Sequence, residues 1–93
     1  MFTLHEEPLD AEALKKTLAD TACGACATFE GWVRENNEGR RVHRLDYEAY
    51  APVALKEGGR IVHEACARFG VLHAACTHRV GPLGLGDLAV WVG

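Results

Sequence analysis

The stretch GWVRENNEGRRVHRLDYEAYAP, Gly31 to Pro52, decides how the rest of the chain is read. It opens on β-formers, with Phe29 just ahead of it and Trp32 and Val33 inside it. It turns polar at Glu35, Asn36, Asn37, Glu38 and Gly39, and Arg40 and Arg41 close the polar part. From Val42 to Tyr50, Leu45, Tyr47 and Ala49 alternate with Arg44, Asp46 and Glu48, the period of a half-buried strand. The strand before the polar segment is read over residues 23–33, weakened by Gly24 and Gly31. Two strands joined by a polar, Gly-containing connection predict a hairpin. The connection is longer than a tight turn, which predicts a mobile tip. Pro52 then suits the first turn of a helix.

That helix carries Leu55, Val62, Ala65, Cys66 and Phe69 at helical spacing, with Ile61 widening the stripe, and Gly70 is a natural stop. Gly58 and Gly59 each cost roughly 1 kcal/mol relative to alanine in a helix interior, so the helix either packs closely against something there or is locally weak. Residues 71–80 read as a third strand, Gly81 to Gly86 as turn material, and residues 88–92 as a fourth strand. Upstream, Asp10 is placed to cap a short helix ending near Asp20, with Ala11, Leu14 and Leu18 on one side and Lys15 and Lys16 more exposed. The order helix, strand, strand, helix, strand, strand predicts a single α+β domain over residues 1–93, with helices packed on a mostly antiparallel sheet.

The 93 residues suffice for one small domain, and a composition 48% hydrophobic and 25% charged is a globular balance. A net charge of -3, with no basic stripe or face, gives no reason to expect nucleic acid. No apolar run approaches the roughly 18 residues of a membrane span. The start MFTLHEEPLD lacks the basic and apolar regions of a secretion signal, which points to the cytoplasm. Cys23 and Cys26 form a CxxC, but a zinc site needs two more ligands at close spacing. The sequence offers Cys66, Cys76 and scattered histidines, so no metal is expected and the cysteines read as small buried apolar residues.

Several motifs together resemble one family. They are GACATFEGWVRENNEGRRV, LDYEAYAPVA, a helix ending near EACARFGV, then THRVGPLGLGD and LAVWVG, in order from Gly24 to Gly93. The pattern of a strand ending in G-x-V-R, a polar loop, an L-x-Y-E-x-Y strand, a helix and an H-R-x-G-x-L-x-x-G-D segment before a strand is similar to the large, catalytic subunit of molybdopterin synthase. The resemblance implies an α/β-hammerhead fold and a homodimer, which binds two copies of a small ubiquitin-like sulfur-carrier subunit in a heterotetramer. It implies transfer of two sulfurs from the carrier's C-terminal thiocarboxylate to cyclic pyranopterin monophosphate, with no further cofactor.

Both the substrate phosphate and the carrier's carboxyl end are anionic, and the planar fork of arginine binds such oxygens bidentately. Arg34 matches the arginine closing G-x-V-R, part of the family's substrate pocket, and Trp32 and Val33 match the two positions that line the same region. Arg40 and Arg41 are read as a solvated loop. The family's other functional residues, a His-Arg pair and two lysines, fall past Gly93, so no catalytic residue is assigned and the 93-residue chain is expected to correspond to the N-terminal two-thirds of the family. His78-Arg79 belongs to the H-R-x-G segment and is read as structural, holding the turn into Gly81 or pairing with a carboxylate such as Asp87. Tyr47, Glu48 and Tyr50 are expected to pack and hydrogen-bond across the hairpin. Two competing readings are a non-catalytic carrier-binding or dimerisation module and a small metal or redox protein using Cys23 and Cys26.

Overall fold

The computed structural model describes residues 1–93, the side chain of Asn37 excepted. The elements run β1 (Phe2–His5), α1 (Ala11–Lys16), β2 (Phe29–Trp32), β3 (Asn36–Asn37), β4 (Arg40–Arg41), β5 (Arg44–Tyr47), α2 (Ala51–Phe69), β6 (Cys76–Arg79), β7 (Gly81–Gly84) and β8 (Leu88–Val92). A four-stranded sheet has the order β1-β6-β8-β2, and β5 with β7 and β3 with β4 form two-stranded sheets. Apart from the parallel β1–β6 pair, every ladder is antiparallel. This is the expected α+β architecture. No helix among the described residues is long and apolar enough to cross a membrane.

The ends of both helices follow from local chemistry. The Asp10 carboxylate accepts from the Ala13 N–H at 3.1 Å and opens α1. The helix stops at Lys16 rather than near Asp20, because its last turn tightens: the N–H groups of Leu18 and Ala19 donate three residues back, to Lys15 and Lys16. Pro52 lies in the first turn of α2, and Gly70 ends that helix in the left-handed conformation with φ 65°.

Pairing is where the sequence reading fails. Residues 23–33 give a strand only over Phe29–Trp32, and that strand pairs with β8 instead of forming a hairpin with β5. The second strand shortens to Arg44–Tyr47 and pairs with β7, drawn from the segment read as a turn. Pro82 is tolerated there because a two-stranded ribbon leaves an edge on which a missing N–H costs nothing. The third strand shortens to Cys76–Arg79. The polar tip is no long loop: β3 and β4 close on Glu38 and Gly39, both at positive φ (52° and 77°), the signature of a two-residue type I′ turn. The first strand, FTLH, was not foreseen; Thr3 and Thr77 bridge it to β6 through their hydroxyls at 2.8 Å.

The packed interior is small. Val33, Leu83, Ala89 and Trp91 are the buried hydrophobic residues, with Val42, Leu45 and Tyr47 partly buried against the first three of them. The stripe expected on α2 is only partly used. Val62, Ala65 and Cys66 are half-buried, whereas Leu55, Ile61 and Phe69 are exposed, because the helix touches β1 along a narrow line through Gly58. Tyr50, expected to pack across a hairpin, is an exposed N-cap.

Gly58 and Gly59 have opposite roles. A Cβ at Gly58 would overlap the ring of Phe2, whereas one at Gly59 would meet nothing within 4 Å. Gly58→Ala should therefore destabilise the fold. Overpacking costs about 1–3 kcal/mol, against which the better helix propensity of alanine returns roughly 1 kcal/mol. Gly59→Ala has only that gain and should stabilise. Urea unfolding of the two variants checks the opposite signs; a shared sign would refute the Phe2–Gly58 contact.

Candidate functional site

The three residues Trp32, Val33 and Arg34 leave the end of β2 in alternation. Trp32 and Arg34 face outward and are exposed, while Val33 between them is buried against Leu83 and Ala89. The Trp32 indole N–H donates to Glu30 Oε1 at 3.3 Å. Of the three expected pocket residues, then, two present their side chains and Val33 acts from the core beneath them.

What fixes this corner is the segment from Gly84 to Asp87. The Val33 N–H donates to the Asp87 carbonyl at 3.0 Å, and the Gly86 N–H donates back to the Val33 carbonyl at 2.7 Å. Gly86 takes φ 81°, a conformation glycine adopts without strain. Asp87 Oδ2 accepts from Arg79 Nη1 at 3.0 Å and from the Gly84 N–H at 2.9 Å. Arg79 also donates through Nε to the Glu6 carbonyl at 3.3 Å. The reading of His78-Arg79 as structural holds: Arg79 pairs with Asp87, and the His78 and Tyr47 rings meet in a T-shaped contact, centroids 4.7 Å apart. Each member of H-R-x-G-x-L-x-x-G-D thus has a physical task. Arg79 and Asp87 tie the segment, Gly81 and Gly86 allow its positive-φ bends, and Leu83 is 1% exposed in the core. The segment acts on the site by holding the backbone that carries Arg34.

Arg40 and Arg41 are exposed on β4, as a solvated face requires. Their hairpin is continuous with Arg34, and the Val42 N–H returns to the Glu35 carbonyl. The guanidinium groups of residues 34, 40 and 41 therefore belong to one short β-excursion that starts at the anchored Val33. Such an excursion can present positive charge to an anion without changing the sheet behind it.

Elsewhere, an open groove of about 780 Å³ lies between α1, residues 18–27, residues 71–74 and Gly93. It is lined by Cys23 and Cys26, which are half-buried and exposed rather than the buried apolar residues expected. His73 Nε2 and Asp20 Oδ2 meet there at 2.7 Å. The Ala22 N–H, first, and then His73 hold the Asp20 carboxyl below its ordinary range. Burial pushes the Cys76 thiol in β6 upward, partly offset by the nearby N-terminal amine. Sequence spacing gave no sign of the Asp20–His73 pair, because its members are 53 residues apart.

Known proteins match this chain along nearly its whole length. The family described as MoaE protein matches residues 4–93. The molybdopterin synthase catalytic subunit of Bacillus subtilis is 38% identical over 89 residues, which is 96% of this chain and 57% of that protein. The protein of the same name from Drosophila mojavensis is 39% identical over 88 residues, 94% of this chain and 24% of that one. The chain thus spans between about a quarter and three fifths of these two curated relatives. A crystal structure of molybdopterin synthase from Staphylococcus aureus superposes with a TM-score of 0.88 at 32% identity, covering 96% of this chain and 65% of that one. With the match running from Leu4 to the last residue and the fold agreeing over the same span, the chain belongs to the MoaE family.

Proposed function

We propose that this chain is the large subunit of a molybdopterin synthase. In that role it takes sulfur from the C-terminal thiocarboxylate of a small ubiquitin-like carrier and delivers two sulfurs to cyclic pyranopterin monophosphate. The observation that carries the reading is family membership over residues 4–93, joined to an exposed Arg34 on a backbone pinned to residues 86 and 87. Arg34 binds anionic oxygens of the precursor or of the carrier's carboxyl end, Trp32 offers an exposed aromatic surface beside it, and Val33 fixes both from the core. Acid–base work in the whole reaction falls to lysines outside the matched residues 4–93. The working assembly is a homodimer carrying two carriers, in the cytoplasm.

Arg34→Ala tests this. A hydrogen bond to a charged group is worth about 1.5–3 kcal/mol, so precursor affinity should fall roughly 10–100-fold, with Arg34→Lys intermediate because lysine keeps the charge but loses the fork. Titration calorimetry with the precursor reads affinity, and dithiolene formation is assayed in a chain extended by the relatives' C-terminal segment and supplied with thiocarboxylated carrier. Unchanged binding and transfer in Arg34→Ala would show that the anion is held elsewhere.

A further inference from the structure

The groove beside α1 holds a second constellation, remote in sequence from Arg34. A carboxylate oxygen of Asp20, the Cys23 sulfur and a ring nitrogen of His73 all lie within 4.8 Å of one another. We propose that Asp20, Cys23 and His73 bind a borderline-soft divalent transition-metal ion of the zinc class.

The donor set selects the ion. Calcium and magnesium take oxygen ligands, whereas one sulfur, one imidazole nitrogen and one carboxylate oxygen suit Zn²⁺ or Co²⁺. In a tetrahedral site with Zn–N near 2.0 Å and Zn–S near 2.3 Å, ligand atoms stand ~3.3–3.8 Å apart. The three donor atoms already lie within 4.8 Å of one another, so reaching that range calls for shifts of about an ångström.

The surroundings hold the ligands in place. Asp20 and Cys23 are the two ends of one turn, closed by the Cys23 N–H donating to the Asp20 carbonyl at 3.0 Å. Asp20 Oδ1 accepts from the Ala22 N–H at 2.8 Å, which leaves Oδ2 directed at His73. A ligand carboxylate whose second oxygen is held by a backbone N–H is the outer-shell support that orients metal ligands. His73 arrives on a fixed segment: the next carbonyl, at Ala74, accepts from the N-terminal amine at 2.7 Å, and Ala75 exchanges two hydrogen bonds with Gly93, each 2.9 Å. Asp20 and His73 are part exposed, and the groove gives an ion access and leaves the fourth coordination position to water. Binding displaces the Cys23 thiol proton to solvent, and the resulting thiolate and the Asp20 carboxylate together balance the 2+ charge.

Cobalt is the probe. Titrating Co²⁺ into the reduced 93-residue chain should give one equivalent bound, a thiolate-to-cobalt charge-transfer band in the near ultraviolet and the intense visible bands of a tetrahedral ion, all bleached by Zn²⁺. Cys23→Ser should abolish the charge-transfer band. His73→Ala and Asp20→Asn should each weaken binding by more than the roughly 10–100-fold typical of an outer-shell change. Cys26→Ser should leave the spectrum and affinity unchanged. These side chains lie outside the buried core, so far-ultraviolet circular dichroism should match the parent for all four. Absence of the charge-transfer band in the parent chain overturns the site. So does a band that needs Cys26 but survives loss of His73 and Asp20, which would mean that the two cysteines chelate alone. Neither result depends on the sulfur-transfer reading, whose tests lie at Arg34.

Discussion

Replacing Trp91 with alanine should leave the chain largely unfolded at room temperature. Trp91 is 0% exposed near the end of β8, paired with Thr77 of β6 on one side and Glu30 of β2 on the other. Its indole and the Leu18 side chain converge on Gly93, where a Cβ would come within 2.8 Å of Leu18 Cδ1. Large-to-alanine changes at fully buried aromatic positions cost about 3–5 kcal/mol. Domains of ordinary stability have only about 5–15 kcal/mol in all, and a core this small places the chain at the low end. Trp91→Phe should be far milder. The indole Nε1 is buried with no hydrogen-bond acceptor among the described residues, and removing an unsatisfied donor recovers part of the ~1–3 kcal/mol that such a group costs. Urea unfolding followed by circular dichroism measures both. An alanine variant as stable as the parent would refute the central position of this side chain.

Asp87→Ala is expected to weaken both the fold and the anion binding proposed for Arg34. The variant removes the acceptor for Arg79, whose side chain is 13% exposed, and for the Gly84 N–H. Deleting one partner of such a pair costs about 1–3 kcal/mol, mainly through the desolvated group left behind. The 43% exposure of the Asp87 side chain lowers the figure, since water screens it. The second effect is indirect. Residues 86 and 87 hold the Val33 backbone, so loosening them frees the peptide that carries Arg34. Precursor affinity should fall in Asp87→Ala although Asp87 touches no ligand, and Asp87→Asn, which keeps an acceptor oxygen, should recover part of both losses. Stability by urea unfolding and affinity by calorimetry separate the two; a loss of stability with no change in affinity would uncouple the segment from the site.

The sequence was legible wherever a local pattern decides the outcome. The alternation of Leu45 and Tyr47 with Arg44 and Asp46 gives the observed burial of β5, and β8 occupies residues 88–92 as read. Asp10, Pro52 and Gly70 mark helix ends because capping is local. Pairing was illegible because it is decided at long range. Gly81, Pro82 and Gly84 carry the composition of a turn, yet the burial of Leu83 and the free edge of a two-stranded ribbon make them a strand. Glu38 carries no glycine-like signal, so the tight turn it makes with Gly39 stayed hidden. The proposed anion site rests on resemblance, since an arginine at a strand end has no physical mark that sets it apart. Asp20 and His73 were invisible for a simpler reason: spacing cannot report a contact between residues 53 positions apart.

The strand order also dictates when the molecule can form. Every ladder of the four-stranded sheet uses β6 or β8, and Phe2 waits for Cys76, its partner 74 residues later. Until residue 76 is synthesised none of those ladders can close, and α1 and α2 have no completed sheet to rest on. Closing loops this long is entropically costly, and chains dominated by distant pairings fold slowly. During synthesis Leu55, Ile61 and Phe69 of α2 and Phe29 and Trp32 of β2 therefore emerge from the ribosome before the strands that complete the fold, so the nascent chain carries apolar side chains with no finished sheet beside them.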